Sequence, residues 1–205
     1  IARLLHALQT GGTLTALAPN SKGGNRLVDE LQRFGCIAQE TSRHHHRIVQ
    51  TSRPTLLTDA CEIALSEGNL QRHPAHGLYT QPGIFSWDRM DEGTQQLLAH
   101  LPALQGTVID LGCGIGFLGR AVLASPHVTS LIAIDNDRRA VAACKYNLDD
   151  SRVTLRWEDV RQTTLLPATA DGVVMNPPFH EGGEENHTLG QQFIEKAATL
   201  LKPGG

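Results

Sequence analysis

No run of apolar residues in this chain approaches the roughly 20 that a membrane-spanning helix requires, and no secretory signal pattern opens it. Paired cysteines are also lacking. Cys36, Cys61, Cys113 and Cys144 are scattered without a CxxC, which argues against a disulfide framework or a thiolate zinc site and fits a reducing cytoplasm. Nor is there an excess of basic residues: 18 Lys and Arg stand against 21 Asp and Glu, a formal net charge of -3. That excludes a global field for nucleic acid, so any RNA contact must rest on local patches. What is present is 40% hydrophobic and 19% charged, the balance of a packed soluble core rather than a disordered chain.

One run invites a metal, His44-His45-His46. Consecutive residues point in different directions on a strand or helix, and no Cys or acid sits at ligand spacing. A solvated loop or strand edge is the competing reading, and no metal is expected. The ends carry a different message. The chain opens at Ile1 without methionine and stops on Lys202-Pro203-Gly204-Gly205, a helix stop that normally leads into another strand. A piece of a longer protein is expected.

Periodicity then orders the chain. Leu4, Leu5 and Leu8 give a helix face ended by Gly11-Gly12, and residues 13–18 read as a strand. Leu27, Leu31 and Phe34 mark a second helix, with strands expected at 36–39 and 47–50. Residues 54–83, with three prolines, suit a connector. From Met90 onward helix and strand alternate: helices over 90–101, 118–123, 140–148 and 193–201, strands over 108–111, 131–134, 153–157 and 172–175. Strands separated by helices predict an α/β fold, a parallel sheet with helices on both faces. The expected division is residues 1–53 as the tail of one α/β domain, 54–83 as connector, and 84–205 as a second, incomplete domain. A weak echo between ARLLHALQTGG (2–12) and EKAATLLKPGG (195–205) suits either a duplication or two ordinary helix ends.

The strongest local signal is VIDLGCGIGFLG, residues 108–119. A buried strand runs into Gly112, Cys113, Gly114 and Gly116 and then a helix, a turn that lets a ligand approach backbone and helix N-terminus. Dinucleotide enzymes and methyltransferases both use such a loop. Asp110, two residues before the first glycine, would repel a pyrophosphate, and Phe117 stands where GxGxxG needs its last glycine. S-adenosylmethionine brings two cationic groups instead. Asp135, ending LIAID, can accept from both ribose hydroxyls, Asn136 would lie near the adenine, and Asp159 after VTLRW could accept from the adenine amine. Helix N-caps are the alternative for these acids.

The fourth strand of the series ends in Asn176-Pro177-Pro178-Phe179. Proline cannot continue a ladder, and it pushes the preceding residue toward extended geometry. Backbone so constrained at the carboxyl end of a strand aims two acceptors, the Asn176 side-chain oxygen and the Pro177 carbonyl. An exocyclic amine on a planar base offers two N–H donors to match, and Phe179 can stack on the base. Adenine N6, cytosine N4, a guanine amine and a glutamine amide all satisfy this chemistry. A plain strand-ending turn is the alternative.

GIFSWDRMDEGTQQLL (83–98), DLGCGIGFLG, IDNDRRAVAACKYN, NPPFHEGG and FIEKAATLLKPGG together resemble successive motifs of the bacterial ribosomal RNA guanine-N2 methyltransferases, which comprise C-type enzymes (for the small subunit) and G-type enzymes (for the large subunit). The resemblance covers residues 83–205. It implies a class I, Rossmann-like methyltransferase fold, S-adenosylmethionine as cofactor, and N2-methylation of guanine in ribosomal RNA, most specifically in the small subunit. It also implies that Phe85 and Asp91 lie beside the cofactor pocket, and that residues 1–53 end a degenerate methyltransferase-like domain. A cytoplasmic monomer acting on ribosomal RNA or a ribosomal subunit is expected, with no membrane partner. Arg43, Arg47 and Arg53 with the histidine run are candidate RNA contacts, or equally a solvated face. A non-catalytic RNA-binding domain is the alternative from another class.

Overall fold

The apolar face anticipated at the start of the chain forms α1 (Ala2–Ala7), with Leu5 fully buried. The computed structural model describes residues 1–177, 180–181, 184–185 and 187–205, and the chain divides into two units, Ile1–Asn69 and Leu70–Gly205. In the first unit α1 is followed by β1 (Thr13–Pro19), α2 (Leu27–Arg33), β2 (Ala38–Arg43), β3 (His46–Ser52) and α3 (Asp59–Glu67). The three strands form an antiparallel sheet in the order β1-β3-β2. Leu5, Leu14, Leu31, Phe34, Cys36, Val49 and Cys61 make its core. The histidine run is a hairpin tip. Arg43 pairs with His46, leaving His44 (φ 48°) and His45 (φ 60°) as a two-residue turn. Both left-handed conformations are those a tight hairpin demands. Among the described residues no group of three or more His, Cys, Asp or Glu could hold a metal ion.

The connector expected over 54–83 is instead shared between the units. Residues 59–67 are helical, and Cys61, Ala64 and Leu65 pack into the first core. Leu70, Leu78 and Ile84 pack with Ile115, Ala140 and Ala143 in the second unit. Apolar burial on both sides thus draws the boundary at Asn69/Leu70.

In the second unit β4 (Gln71–Arg72) and β5 (Tyr79–Thr80) form a short antiparallel ribbon, followed by α4 (Glu92–Ala99) and β6 (Gly106–Leu111). Then come α5 (Phe117–Leu123), β7 (Val128–Asp135), α6 (Arg138–Asn147), β8 (Val153–Trp157) and β9 (Gly172–Met175). An antiparallel pair, β10 (His180–Glu181) and β11 (Glu184–Glu185), precedes α7 (His187–Leu200). The main sheet is parallel throughout, in the order β8-β7-β6-β9. Successive residues of β6 face opposite layers, as the period of a strand requires. Val108 packs with Leu118 and Val122 of α5, whereas Ile109 and Leu111 pack with Leu189, Phe193, Ala197 and Leu200 of α7. Each such fully buried branched side chain contributes about 1.5–3 kcal/mol, and helices cover both faces. The order reverses at β6, so β7 and β9 leave it on opposite sides and a crevice opens beyond their carboxyl ends. Among the described residues no helix is long and apolar enough to cross a membrane.

Candidate active site

Strand register decides what meets at that crevice. Leu111 pairs with Met175 and with Ile134, and Asp135 pairs with Trp157. The residues just beyond, Gly112, Asn176, Asn136 and Asp159, therefore arrive together at one sheet edge. They line a cavity of about 320 Å³ with Ile84, Phe85, Gly114, Asp135, Asp137, Ala140, Val160, Arg161, Leu189 and Phe193.

The glycine loop has two distinct demands. Gly116 (φ 94°) caps the start of α5, and a Cβ there would meet Cys144 Sγ at 3.0 Å and Leu148 at 3.1 Å. Gly114 (φ 53°) has open space where its Cβ would be, on the cavity side. One glycine serves packing and the other leaves room for a ligand. Cys113 is buried and borders a small neighbouring cavity rather than the large one. Contact with Cys144 and burial push its thiol well above the usual range. Phe117, the residue that breaks a dinucleotide motif, opens α5 and packs beside His76, its ring centroid 5.3 Å away.

The acids separate once their partners are known. Asp137 is the N-cap of α6, accepting from the Arg139 amide at 2.8 Å and pairing with its guanidinium at 2.7 Å. The Arg139 bond holds its carboxyl below the ordinary value. Asp135 is thereby free of capping. Its Oδ2 accepts from Gly114 N (2.8 Å) and its Oδ1 from Asp137 N (2.7 Å). Burial raises it despite those amides, and no basic side chain pairs with it among the described residues. Two oxygens with about four acceptor sites keep capacity for two further donors. Asp159 goes the other way: it caps the 3-10 turn at Val160–Gln162, and Arg161 grips both its oxygens at 2.6–3.0 Å. The capping alternative thus holds for Asp159, and a donor reaching it must share it with Arg161.

Asp110 differs from its expected placement. It lies on the α5 face of β6, fully buried, and is absent from the cavity lining. Neither carboxyl oxygen has a hydrogen-bond partner of good geometry among the described residues. Burial, then the charge of Asp135, push it up to about 7, which the Gly119 amide only partly offsets. Strand alternation is the reason: a side chain one residue from the strand end points into a layer, not over the edge.

Asn176 borders the cavity, and its Nδ2 donates to Asp91 Oδ2 (2.8 Å) and Thr94 Oγ1 (3.0 Å). Asp91 is the N-cap of α4, accepting from Thr94 N at 3.2 Å. Asp91 is not part of the cavity lining and stands behind Asn176. Phe85 lines the cavity and is 66% exposed. Its loop is held where Arg139 Nη2 donates to the Gly83 carbonyl at 2.8 Å. Pro177 follows Asn176 at the strand end, whereas Pro178 and Phe179 lie outside the described residues. Sequence reasoning missed Arg161, Leu189 and Phe193 as cavity walls. The 3.6-residue spacing marks the last two as a helix face, but a sequence pattern cannot say that its first turns cover a sheet edge rather than its middle.

Two of the three arginines singled out in the first unit have structural partners. Arg47 bonds Glu40 (2.9 Å) and Asn25 (3.3 Å), and Arg53 bonds the Leu5 carbonyl and Thr10. Arg43 sits at the exposed hairpin tip.

The family model of the methyltransferase small domain matches residues 75–205. The chain belongs to the methyltransferase small domain family. Its curated relatives include proteins named ribosomal RNA small subunit methyltransferase C. That of Shewanella sp. strain MR-4 is 31% identical over 203 residues, covering 97% of this chain and 59% of the relative. That of Shewanella putrefaciens strain CN-32 is 38% identical over 205 residues, covering 97% and 58%. Among solved structures, the T. thermophilus 16S rRNA N2 G1207 methyltransferase (RsmC) in complex with AdoMet and guanosine superposes with a TM-score of 0.79. It is 24% identical and is matched over 100% of this chain and 57% of its own. The expected class I, Rossmann-like methyltransferase fold is therefore the fold of the second unit. The chain spans just under three-fifths of the length of these relatives.

Proposed function

We propose that the protein containing this chain transfers a methyl group from S-adenosylmethionine to the N2 amine of a guanine in small-subunit ribosomal RNA. The observation that carries the reading is one cavity, at the reversal of strand order, bordered by both Asp135 and Asn176. The relatives named above supply the substrate class. When bound, S-adenosylmethionine provides an activated methyl on a cationic sulfonium.

The residues present suit that group. Asp135, unpaired with any basic side chain among the described residues, keeps acceptor capacity for two ribose hydroxyls. Asn136, Asp159 and Arg161 line the cavity and would hold the adenine, Asp159 accepting from its amine only in competition with Arg161. Gly112 and Gly114 let the ligand approach the backbone, and Phe85 closes the wall beside it. Asn176 Oδ1 and the Pro177 carbonyl accept the two hydrogens of the target amine, so the nitrogen lone pair is directed at the methyl. Phe179, which lies outside the described residues, is assigned base stacking from the sequence alone. Positioning of this kind lowers the barrier without a covalent enzyme intermediate, and the base must be unpaired or flipped to reach it.

Ribosomal RNA or a ribosomal subunit is the partner, a cytoplasmic setting follows from that substrate, and a monomer suffices. Residues 1–53, extended to Asn69 by their packing, are the C-terminal part of a degenerate methyltransferase-like domain, and Arg43 with the adjoining histidines offers an RNA contact. Labelled methyl transfer by the full-length protein to unmodified ribosomal RNA and to assembled subunits, followed by nucleoside analysis, tests the reading. N2-methylguanosine is expected. Label in adenine N6, cytosine N4 or a protein glutamine would replace the substrate, and RNA binding without transfer would replace the activity.

A further inference from the structure

The geometry points to Asp91 and Thr94 as positioning residues that set the orientation of the Asn176 amide, an inference that rests on the methyl-transfer reading above. An ionised carboxylate can only accept hydrogen bonds. The Asn176 atom 2.8 Å from Asp91 Oδ2 must therefore be its nitrogen. The second N–H is taken by Thr94 Oγ1 at 3.0 Å. Both donors of the amide are spent on the first turn of α4, and Oδ1 is the group left to accept from a substrate amine.

A loose Asn at this place would present either NH2 or C=O, and an NH2 facing an amine donor would repel it. The carboxylate also polarises the amide through a charge-assisted bond, which makes Oδ1 the stronger acceptor. Asp91 holds the turn together by accepting from Thr94 N with the same Oδ2 that receives Asn176. Gly93 completes the clamp: a Cβ there would lie 3.0 Å from Asp91 Oδ2 and 3.1 Å from Asn176 Oδ1. The motif DEGT at 91–94 thus acts through Asn176, and Asp91 acts without lining the cofactor cavity.

The test uses the full-length protein and four variants. Asp91→Ser keeps an N-cap but is too short to reach Asn176, and Thr94→Val keeps the volume without the acceptor. Each should slow single-turnover methyl transfer to ribosomal RNA about ten- to a hundredfold, with S-adenosylmethionine affinity within about threefold of wild type. Asp91→Asn and Thr94→Ser, which restore an acceptor at the same place, should recover most of the rate. In the cofactor-free protein, NMR should show the Asn176 side-chain amide protons protected from exchange, and Asp91→Ser should release them. Unprotected protons in the wild type overturn the inference. So does near wild-type transfer by Asp91→Ser and Thr94→Val, a loss of cofactor affinity that keeps step with the rate, or a rate loss that only tracks a lower melting temperature. A wild type that transfers no methyl group overturns the underlying reading, and this one with it.

Discussion

The two units each carry a concavity, and the larger is the poorer in chemistry. In the first unit an opening of about 520 Å³ runs along Thr13, Gly35, Ile37, Gln39, Gln50 and Arg53. Its one charged side chain is already committed to the Leu5 carbonyl and Thr10. In the second unit about 320 Å³ gathers Asp135, Asp137, Asp159, Arg161 and Asn176. The difference follows from strand direction. Antiparallel strands bring alternating ends to each edge, so polar terminal residues are divided between the two edges. Parallel strands bring every carboxyl end to one edge, where side chains beyond the last pair converge. Volume alone does not make a site.

The sharpest way to break this contrast is at Asn176. Asn176→Ala should lower single-turnover transfer about 10²–10³-fold, by analogy with loss of one preorganised donor in an oxyanion hole. S-adenosylmethionine affinity should move by much less than tenfold. Equal losses in both would place Asn176 on the cofactor. Asp135→Ala should show the reverse emphasis. Losing charge-assisted bonds to ribose hydroxyls is worth about 1.5–3 kcal/mol, or roughly ten- to a hundredfold in affinity. Titration calorimetry checks it, and binding of NADH in place of S-adenosylmethionine would refute the cofactor.

Asp110 offers a pH test of what a buried acid, without a well-aligned hydrogen-bond partner among the described residues, does to the second unit. Its value rises from 3.8 to about 7 on folding, so between about pH 4 and 7 the folded chain holds a proton that the unfolded chain has released. Stability contributed by that proton is fully present below the lower value and is lost as pH climbs through the upper one. Asp110→Asn, which has no proton to release, should flatten this decline and exceed wild type above pH 7. Urea melts between pH 5 and 8 with parallel slopes for both proteins would contradict the burial argument.

Two smaller effects should stay within the first unit. Arg53→Met removes charged hydrogen bonds to the Leu5 carbonyl and Thr10, costing about 1–3 kcal/mol in unfolding experiments with cofactor affinity unchanged. Replacing His44-His45 by Asn-Gly puts residues suited to left-handed conformations at φ 48° and 60° and should stabilise by about 0.5–1 kcal/mol. A loss of methyl transfer without a loss of stability would instead make the histidine tip a substrate contact.

Much of the second unit was legible because its signals are local. The strand over 172–175 and that over 153–157 are where alternation and apolar runs put them, and the glycine loop declares a strand–turn–helix by itself. Helix α3 was not legible, since prolines flank it and its apolar positions, Cys61, Ala64 and Leu65, are small or few. Its signal was Thr58-Asp59 with Glu62, an acid-rich first turn ahead of apolar positions at helical spacing. Among the acids, sequence could say that Asp135, Asp137 and Asp159 follow strands but not which would cap. That choice depends on where Arg139 and Arg161 reach back, which is a matter of side-chain geometry.

The alternation of the main-sheet strands β6 to β9 with their helices, the tight loop at Gly112–Gly116 and the end of β9 at Asn176-Pro177 were determined by the sequence alone, because periodicity, glycine and proline act on neighbouring residues. Only the tertiary structure decided that Asp110 points into the α5 layer while Asp135 reaches the cavity, a choice made by strand register and pleat. It alone joined Asn176 to Asp91 and Thr94, more than 80 residues earlier in the chain. Such a pairing has no local signature, since it exists only once a helix and a strand end have been packed side by side.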